Sequence, residues 1–273
     1  MLLQAPAKLN LCLFVGPPRD DGLHEIRSLF EPLSLADDLE VSEAAKDEVI
    51  CPVVGGENLA ATALRSLRDR GWDGPPLRIE ISKRIPLAGG LGGGSADAGA
   101  VLRLAGDLDG VEEAAEQLGA DVLSQLHPRF ALIGGVGERI EALPPAGEHA
   151  IVLLPQKQGL KTAEVYAEAD RLWLGRSTGE LEALAWRLRE AAAGGASPLD
   201  YAALLINDLE PAALSLRPEI EAGLESLRGA GAVRALISGS GPTAFGLFAD
   251  PGTAESAAAE LGRDAIVCTP VAQ

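Results

Sequence analysis

The 273 residues, 47% of them hydrophobic, suffice for one large domain or two modest ones around a sizeable core, which excludes a disordered chain. Forty acidic residues against 23 basic ones leave a net charge of -17, which argues against sequence-independent binding to nucleic acid or to an anionic membrane. Only 4% of the residues are aromatic while 32 are glycine, so the core must be mostly Ala, Leu, Val and Ile, and a beta-only sandwich is disfavoured.

From Ala7 to Val15 the chain alternates, with Leu9, Leu11, Leu13 and Val15 on one face and Lys8, Asn10, Cys12 and Phe14 on the other, the pattern of a half-buried strand. Lys8 and Asn10 therefore point the same way. The apolar stretch here is too short for a membrane span or a cleaved leader, and no run of 18 apolar residues follows, so a soluble cytoplasmic protein is expected. Cys12, Cys51 and Cys268 are far apart and belong to no CxxC or Cys/His cluster, which predicts three buried thiols rather than a disulfide framework or a zinc site.

Asn58 can cap a helix whose Leu59, Ala63, Leu64 and Leu67 share a face, with Gly71 as its stop. Leu77, Ile79 and Ile81 then alternate as a strand. The chain next enters Pro86-Leu87-Ala88-Gly89-Gly90-Leu91-Gly92-Gly93-Gly94-Ser95-Ala96 and a helix from Ser95 to about Ala105. Such a run can be a plain linker. Set between a strand and a helix, it can instead bring backbone N–H groups and a helix N-terminus against phosphate oxygens, a device that an acidic protein needs to hold an anion. Ser95 and Asp97 can equally be an N-cap pair.

A helix from Val111 to Leu118 delivers Asp121 just past its end, and a strand and the turn Gly134 to Gly137 follow Pro128. The loop Pro144 to Glu148 is the best boundary, dividing the chain into domains 1–147 and 148–273. Ile151 to Leu154 read as a buried strand, and helical patterns follow at Leu181, Leu184 and Leu188 and at Ile220, Leu224 and Leu227, where Pro218 stands at a first turn. The end reads as strand (Val233 to Ile237), loop (Ser238 to Pro242), strand (Ala244 to Phe248), helix (Thr253 to Leu261) and strand (Ala265 to Cys268).

No Gly-Lys-Ser/Thr closes either glycine loop, so a P-loop NTPase is disfavoured. Gly239 to Ala244 formally fits GxGxxA, but a strand follows where a dinucleotide fold requires a helix. No serine stands in the G-x-S-x-G setting of a hydrolase. What remains is two glycine/serine loops that can converge on one polyphosphate.

Ala5-Pro6-Ala7-Lys8-Leu9-Asn10-Leu11, Asp21-Gly22-Leu23-His24, Pro86 to Ala96, Gly119-Ala120-Asp121-Val122 and Ser238 to Thr243 stand in the order seen in the GHMP small-molecule kinases, which the chain resembles from residue 5 to about 248. The first two segments resemble the branch that phosphorylates the 2-hydroxyl of a cytidylyl methylerythritol in the non-mevalonate route to isoprenoids. The resemblance implies an α+β GHMP kinase fold, with an N-terminal domain like the second domain of ribosomal protein S5, a ferredoxin-like C-terminal domain and an active cleft between them.

It further implies an ATP-dependent transferase with Lys8 and Asp121 as the catalytic pair and residues 86–96 holding the ATP phosphates. Asn10, Leu23, His24, Thr162 and Tyr166 would hold the substrate, and magnesium, its ligands unassigned, would bridge the phosphates. The implied partners are the small-molecule substrate and ATP, with neither nucleic acid nor membrane, and monomer and homodimer both stay open. The family commonly carries tyrosine where Leu23 stands, which shifts the stacking of a base onto Tyr166. It also commonly has GADVPF where this chain has Gly119 to Ser124, and Gly-Gly at Pro128-Arg129. A mevalonate- or homoserine-type kinase is the rival within the family, and a non-catalytic nucleotide-binding module the rival outside it. Asp21-Gly22-Leu23-His24 with Tyr166 argues against the first, and retention of both Lys8 and Asp121 against the second.

Overall fold

A computed structural model describes residues 1–55, 58–156 and 158–271. The chain forms two compact units: Met1–Lys8, Leu35–Pro86 and Gly92–Pro128 make the first, and Leu9–Ser34, Leu87–Leu91 and the residues from Arg129 onward the second. Both sides of the loop 144–148 lie in the second unit, so the units interleave along the sequence instead of following one another. Two long strands, β1 (Leu2–Pro18) and β2 (His24–Glu43), pair with each other, and each contributes residues to both units.

In the first unit β3 (Glu48–Ile50) runs parallel to β4 (Leu77–Ser82), and β4 pairs antiparallel with β2 from Asp38 opposite Ser82 to Glu43 opposite Leu77. The expected alternation of β4 holds, with Leu77, Ile79 and Ile81 buried between exposed neighbours. Helices α1 (Leu59–Asp69), α2 (Gly93–Leu102), α3 (Val111–Leu118) and α4 (Ala120–Leu126) pack on one another. Asn58 caps α1 by accepting the Ala60 N–H at 2.9 Å, and Ala60, Ala63, Leu64 and Leu67 form its buried face. Alanine and glycine make up four of the seven buried residues of α2, small side chains that let helices approach closely.

The second unit contains β5 (Ala131–Gly134), β6 (Arg139–Ala142), β7 (Ala150–Leu154), α5 (Thr162–Arg171), α6 (Thr178–Ala192), α7 (Glu210–Leu216), α8 (Ile220–Gly229), β8 (Arg234–Ile237), β9 (Ala244–Phe248), α9 (Pro251–Leu261) and β10 (Ile266–Cys268). The start of β2 pairs with β5, and β5 with β6. A separate antiparallel sheet has the order β10-β7-β9-β8, with α8 packed on β8 and β9 and α9 on β7 and β10. β7, α8, β8, β9, α9 and β10 thus give the β-α-β-β-α-β succession of a ferredoxin-like domain. Val152, Leu209, Ile220, Leu224, Leu227, Ile237 and Phe248 build its core, which Leu13 and Val15 of β1 join.

Several elements differ from what the sequence pattern predicts. β1 is buried on both faces from Leu9 to Val15 instead of half-buried: Leu13 and Val15 enter the core, while Phe14 lies beneath the Arg176 guanidinium, 5.1 Å from its ring centre. Cys12 and Cys268 are buried as expected, but Cys51, just past the edge strand β3, is only half-buried. Residues 24–43 carry no clear period, yet form the longest strand. The helix expected from Ser95 starts two residues earlier, at Gly93, and gives way to a single 3-10 turn after Leu102. Asp121 lies inside a further short helix, α4, and not in a loop.

Candidate functional site

The glycine loop owes its shape to residues with positive φ: Ala88 at 53°, Gly90 at 76° and Gly92 at 69°. Gly90 and Gly92 are also places where a side chain has no room. A Cβ on Gly90 would come within 2.7 Å of the Ser238 carbonyl oxygen and 2.8 Å of that of Gly241, so residues 87–91 lie backbone to backbone against the second glycine/serine loop. The Ser238 hydroxyl fastens that contact by donating to the Gly90 carbonyl at 3.2 Å. Residues 87–91 of the first loop and the second loop are therefore neighbours within the second unit.

Gly92 precedes α2 in a left-handed conformation, and no side chain caps the helix. Its first N–H groups are left for an external acceptor, the arrangement that favours an anion at a helix N-terminus. The capping role open to Ser95 and Asp97 does not hold, because Ser95 falls within the helix and Asp97 is buried. A Cβ on Gly92 would lie 2.7 Å from Cγ of Lys8, so the lysine stem runs along the loop.

Lys8, on β1, is 5% exposed. Its Nζ stands 3.8 Å from Oδ2 of Asp121, whose side chain is 54% exposed, so the two residues that the sequence singled out meet across more than a hundred positions. Asp121 sits in the first turn of α4, where the helix dipole favours a carboxylate. Asn10 is anchored through Nδ2, which donates to the Ser28 hydroxyl at 2.7 Å.

His24 opens β2, and its Nδ1 carries the proton donated to the Gly16 carbonyl at 2.9 Å. Nε2 faces Asp170 at 3.4 Å, and the ring lies 5.1 Å from that of Tyr166 at a tilt of 35°. His24 and Tyr166 are thus together, and Asp170, which sequence reasoning missed, joins them from one turn further along α5. Leu23, next to His24 in sequence, is half exposed. Thr162, at the other end of α5, reaches the second loop, with its hydroxyl 3.1 Å from that of Ser240.

A second group missed from the sequence lies beneath α2. Lys83 Nζ bridges Asp37 and Asp97, at 2.8 Å from the latter, and all three side chains are almost wholly buried. One oxygen of Asp37 also accepts the backbone N–H groups of Arg84 at 2.6 Å and Ile85 at 2.8 Å. Asp97 has a single bonded oxygen and Oδ1 has no partner, so burial, against the pull of Lys83, pushes its carboxyl up to about 7. Lys83 Nζ would be 3.2 Å from a Cβ on Gly93, which seats the cluster under the first turn of the glycine-loop helix.

Residues 58–128 match the family described as GHMP kinases N terminal domain, and residues 188–267 that described as GHMP kinases C terminal. The chain is 39% identical to 4-diphosphocytidyl-2-C-methyl-D-erythritol kinase of Nocardia farcinica, over 96% of its length and 89% of that relative. It is 37% identical to the enzyme of the same name from Kineococcus radiotolerans, over 94% of its length and 84% of that relative. A crystal structure of 4-(cytidine 5'-diphospho)-2C-methyl-D-erythritol kinase superimposes with a TM-score of 0.82 at 36% identity, covering 100% of both chains. A homoserine kinase from Cytophaga hutchinsonii, 18% identical at a TM-score of 0.70, shares the fold alone. Both halves of the sequence carry GHMP kinase signatures, and more than a third of the residues recur over nearly the whole length: the chain belongs to the 4-diphosphocytidyl-2-C-methyl-D-erythritol kinases of the GHMP kinase superfamily.

Proposed function

We propose that this kinase transfers the terminal phosphoryl group of ATP to the 2-hydroxyl of 4-diphosphocytidyl-2-C-methyl-D-erythritol, with Asp121 as the base and Lys8 as its cationic partner. The observation that carries the assignment is the Lys8–Asp121 contact beside Gly92. In this reading Asp121 accepts the hydroxyl proton, while Lys8 orients the alcohol and stabilises charge developing on the phosphoryl oxygens. The uncapped start of α2 and the loop 86–96 receive the ATP phosphates through backbone N–H groups. Among the described residues no three His, Cys, Asp or Glu side chains form a metal cluster. Magnesium, when bound, would be held mainly through the phosphates of ATP and would neutralise their charge. ADP release from ATP with the cytidylyl substrate, measured beside mevalonate and homoserine, tests the reading; a preference for either competitor sinks the substrate assignment.

Gly92→Val is expected to weaken ATP binding, because it forces a β-branched residue to positive φ and drives a methyl group into the Lys8 stem. Gly94→Ala, whose Cβ would lie 3.7 Å from Leu59, is the tolerated control. Calorimetry with each ligand should find the nucleotide affinity lost in the first variant and kept in the second, with cytidylyl binding intact in both.

The cytosine is assigned to His24, Leu23 and Tyr166. Since a base–aromatic stack is worth about 1 to 3 kcal/mol, and Leu23 offers no ring, Tyr166→Ala should raise KM for the cytidylyl substrate by roughly tenfold or more with a smaller effect on kcat. Leu23→Tyr should tighten binding, and His24→Ala should erode discrimination against a uridylyl analogue. Steady-state kinetics with both analogues decide; an unchanged KM in Tyr166→Ala would place the base elsewhere.

A further inference from the structure

Asp121 approaches Lys8 from a helix of 7 residues, too short to hold its own place. One turn beyond Asp121 on that helix, Gln125 is completely buried. Its Nε2 donates at 2.9 Å to the carbonyl of Pro6, two residues before Lys8 on β1. The backbone carbonyl of Gln125 accepts at 2.7 Å from Nη1 of Arg103, and Nη2 of the same guanidinium donates at 3.1 Å to the carbonyl of Gln4. The strand that carries Lys8 is therefore gripped at residues 4 and 6 by two side chains, one belonging to α4 and the other bonded to it. At the same carbonyl α2 touches α4 directly, for a Cβ on Gly99 would come 2.5 Å from the Gln125 carbonyl oxygen.

This arrangement is costly for stability alone. Oε1 of Gln125 is buried with no partner, and partial burial of the Arg103 guanidinium works against its charge. A leucine would remove the stranded Oε1 and, with it, the donor to the Pro6 carbonyl, so the amide is kept for the grip on β1 and not for its own satisfaction. We propose that Gln125 and Arg103 are positioning residues that fix α4 against β1 and so set the separation of Asp121 from Lys8. The inference rests on the reading of Asp121 as the base.

The test compares Gln125→Leu and Arg103→Lys with the unmodified enzyme in ATP and the cytidylyl substrate, measuring kcat, both KM values and Tm. Small displacements of catalytic groups cost up to about a hundredfold in rate, so kcat should fall by about tenfold to a hundredfold while the KM values move little. The loss of kcat should be present well below the Tm of each variant, where the fold is intact. Combined with Asp121→Asn, Gln125→Leu should cost nothing further, because it acts through that carboxylate. An unchanged kcat in Gln125→Leu, or losses that multiply in the double variant, overturns the proposal. If Gln125→Leu does not fold, Arg103→Lys, which keeps the charge but cannot span both carbonyls, carries the same comparison. Full turnover in Asp121→Asn alone would instead remove the base assignment, an outcome distinct from normal turnover in Gln125→Leu when Asp121→Asn is impaired.

Discussion

Replacing Asp121 by asparagine is expected to lower kcat by about 10² to 10⁴ with the fold intact, the range that a positioned base typically contributes. The side chain is half exposed and stands 3.8 Å from the Lys8 ammonium, beyond hydrogen-bond distance, so the amide is accommodated without steric strain and the fold should be kept. Lys8→Ala should show a loss of similar order. The two variants together should lose much less than the product, because each removes the same proton-accepting unit. Single-turnover measurement of ADP formation checks both; near wild-type turnover in Asp121→Asn would end the assignment.

The largest effect on stability is expected at Lys83. Its ammonium group is the bonded cation of two buried carboxylates, so Lys83→Met leaves Asp37 and Asp97 facing each other's charge in a dry site. Breaking a buried pair in this way costs about 3 to 5 kcal/mol, and chemical denaturation at pH 8 should show a loss of that order. Asp97→Asn tests the same cluster from the other side. The Asp97 carboxyl holds its proton more tightly in the folded chain, where burial has pushed it up to about 7, than in the unfolded one. Its contribution to stability is therefore fully present below the ordinary carboxylate range and lost as pH rises through about 7. Asp97→Asn should flatten that part of the pH–stability curve and be favoured over the parent above it; an unchanged slope would mean that Asp97 is ionised throughout.

The residues that were hard to read share one property. β4 and the buried face of α1 were legible because their apolar residues keep a single period, and the glycine loop because its punctuation is dense. β2 was not, since Arg27, Glu31 and Asp37 break its apolar pattern. All three are nonetheless buried, Glu31 against His149 at 3.0 Å and Asp37 against Lys83. Charge marks an exposed position only until a distant segment supplies its partner. Lys83, Arg103 and Asp170 were passed over for the same reason, and Gln125 because a lone amide carries no pattern. Lys8, Asp121 and His24 were singled out through ordered motifs, a signal that tertiary pairing does not disturb. α5 escaped notice because only Val165 and Ala169 on it are buried.

The interleaving of the two units imposes an order on their assembly during synthesis. Pro128, the last residue of the first unit, leaves the ribosome before most of the second has been made. Residues 9–34 emerge near the start, yet Phe30 must wait for Ala131, Leu13 for Asn207 and Leu33 for Pro270. At elongation rates of about 5 to 20 residues per second, the last of these pairings is delayed by roughly 10 to 50 seconds. Through that interval the apolar run from Leu9 to Val15 has β2 for company but not the core it finally enters. The run thus stays apart from its final core for most of the synthesis of these residues, and a cut between residues 34 and 129 leaves neither fragment with the whole second unit.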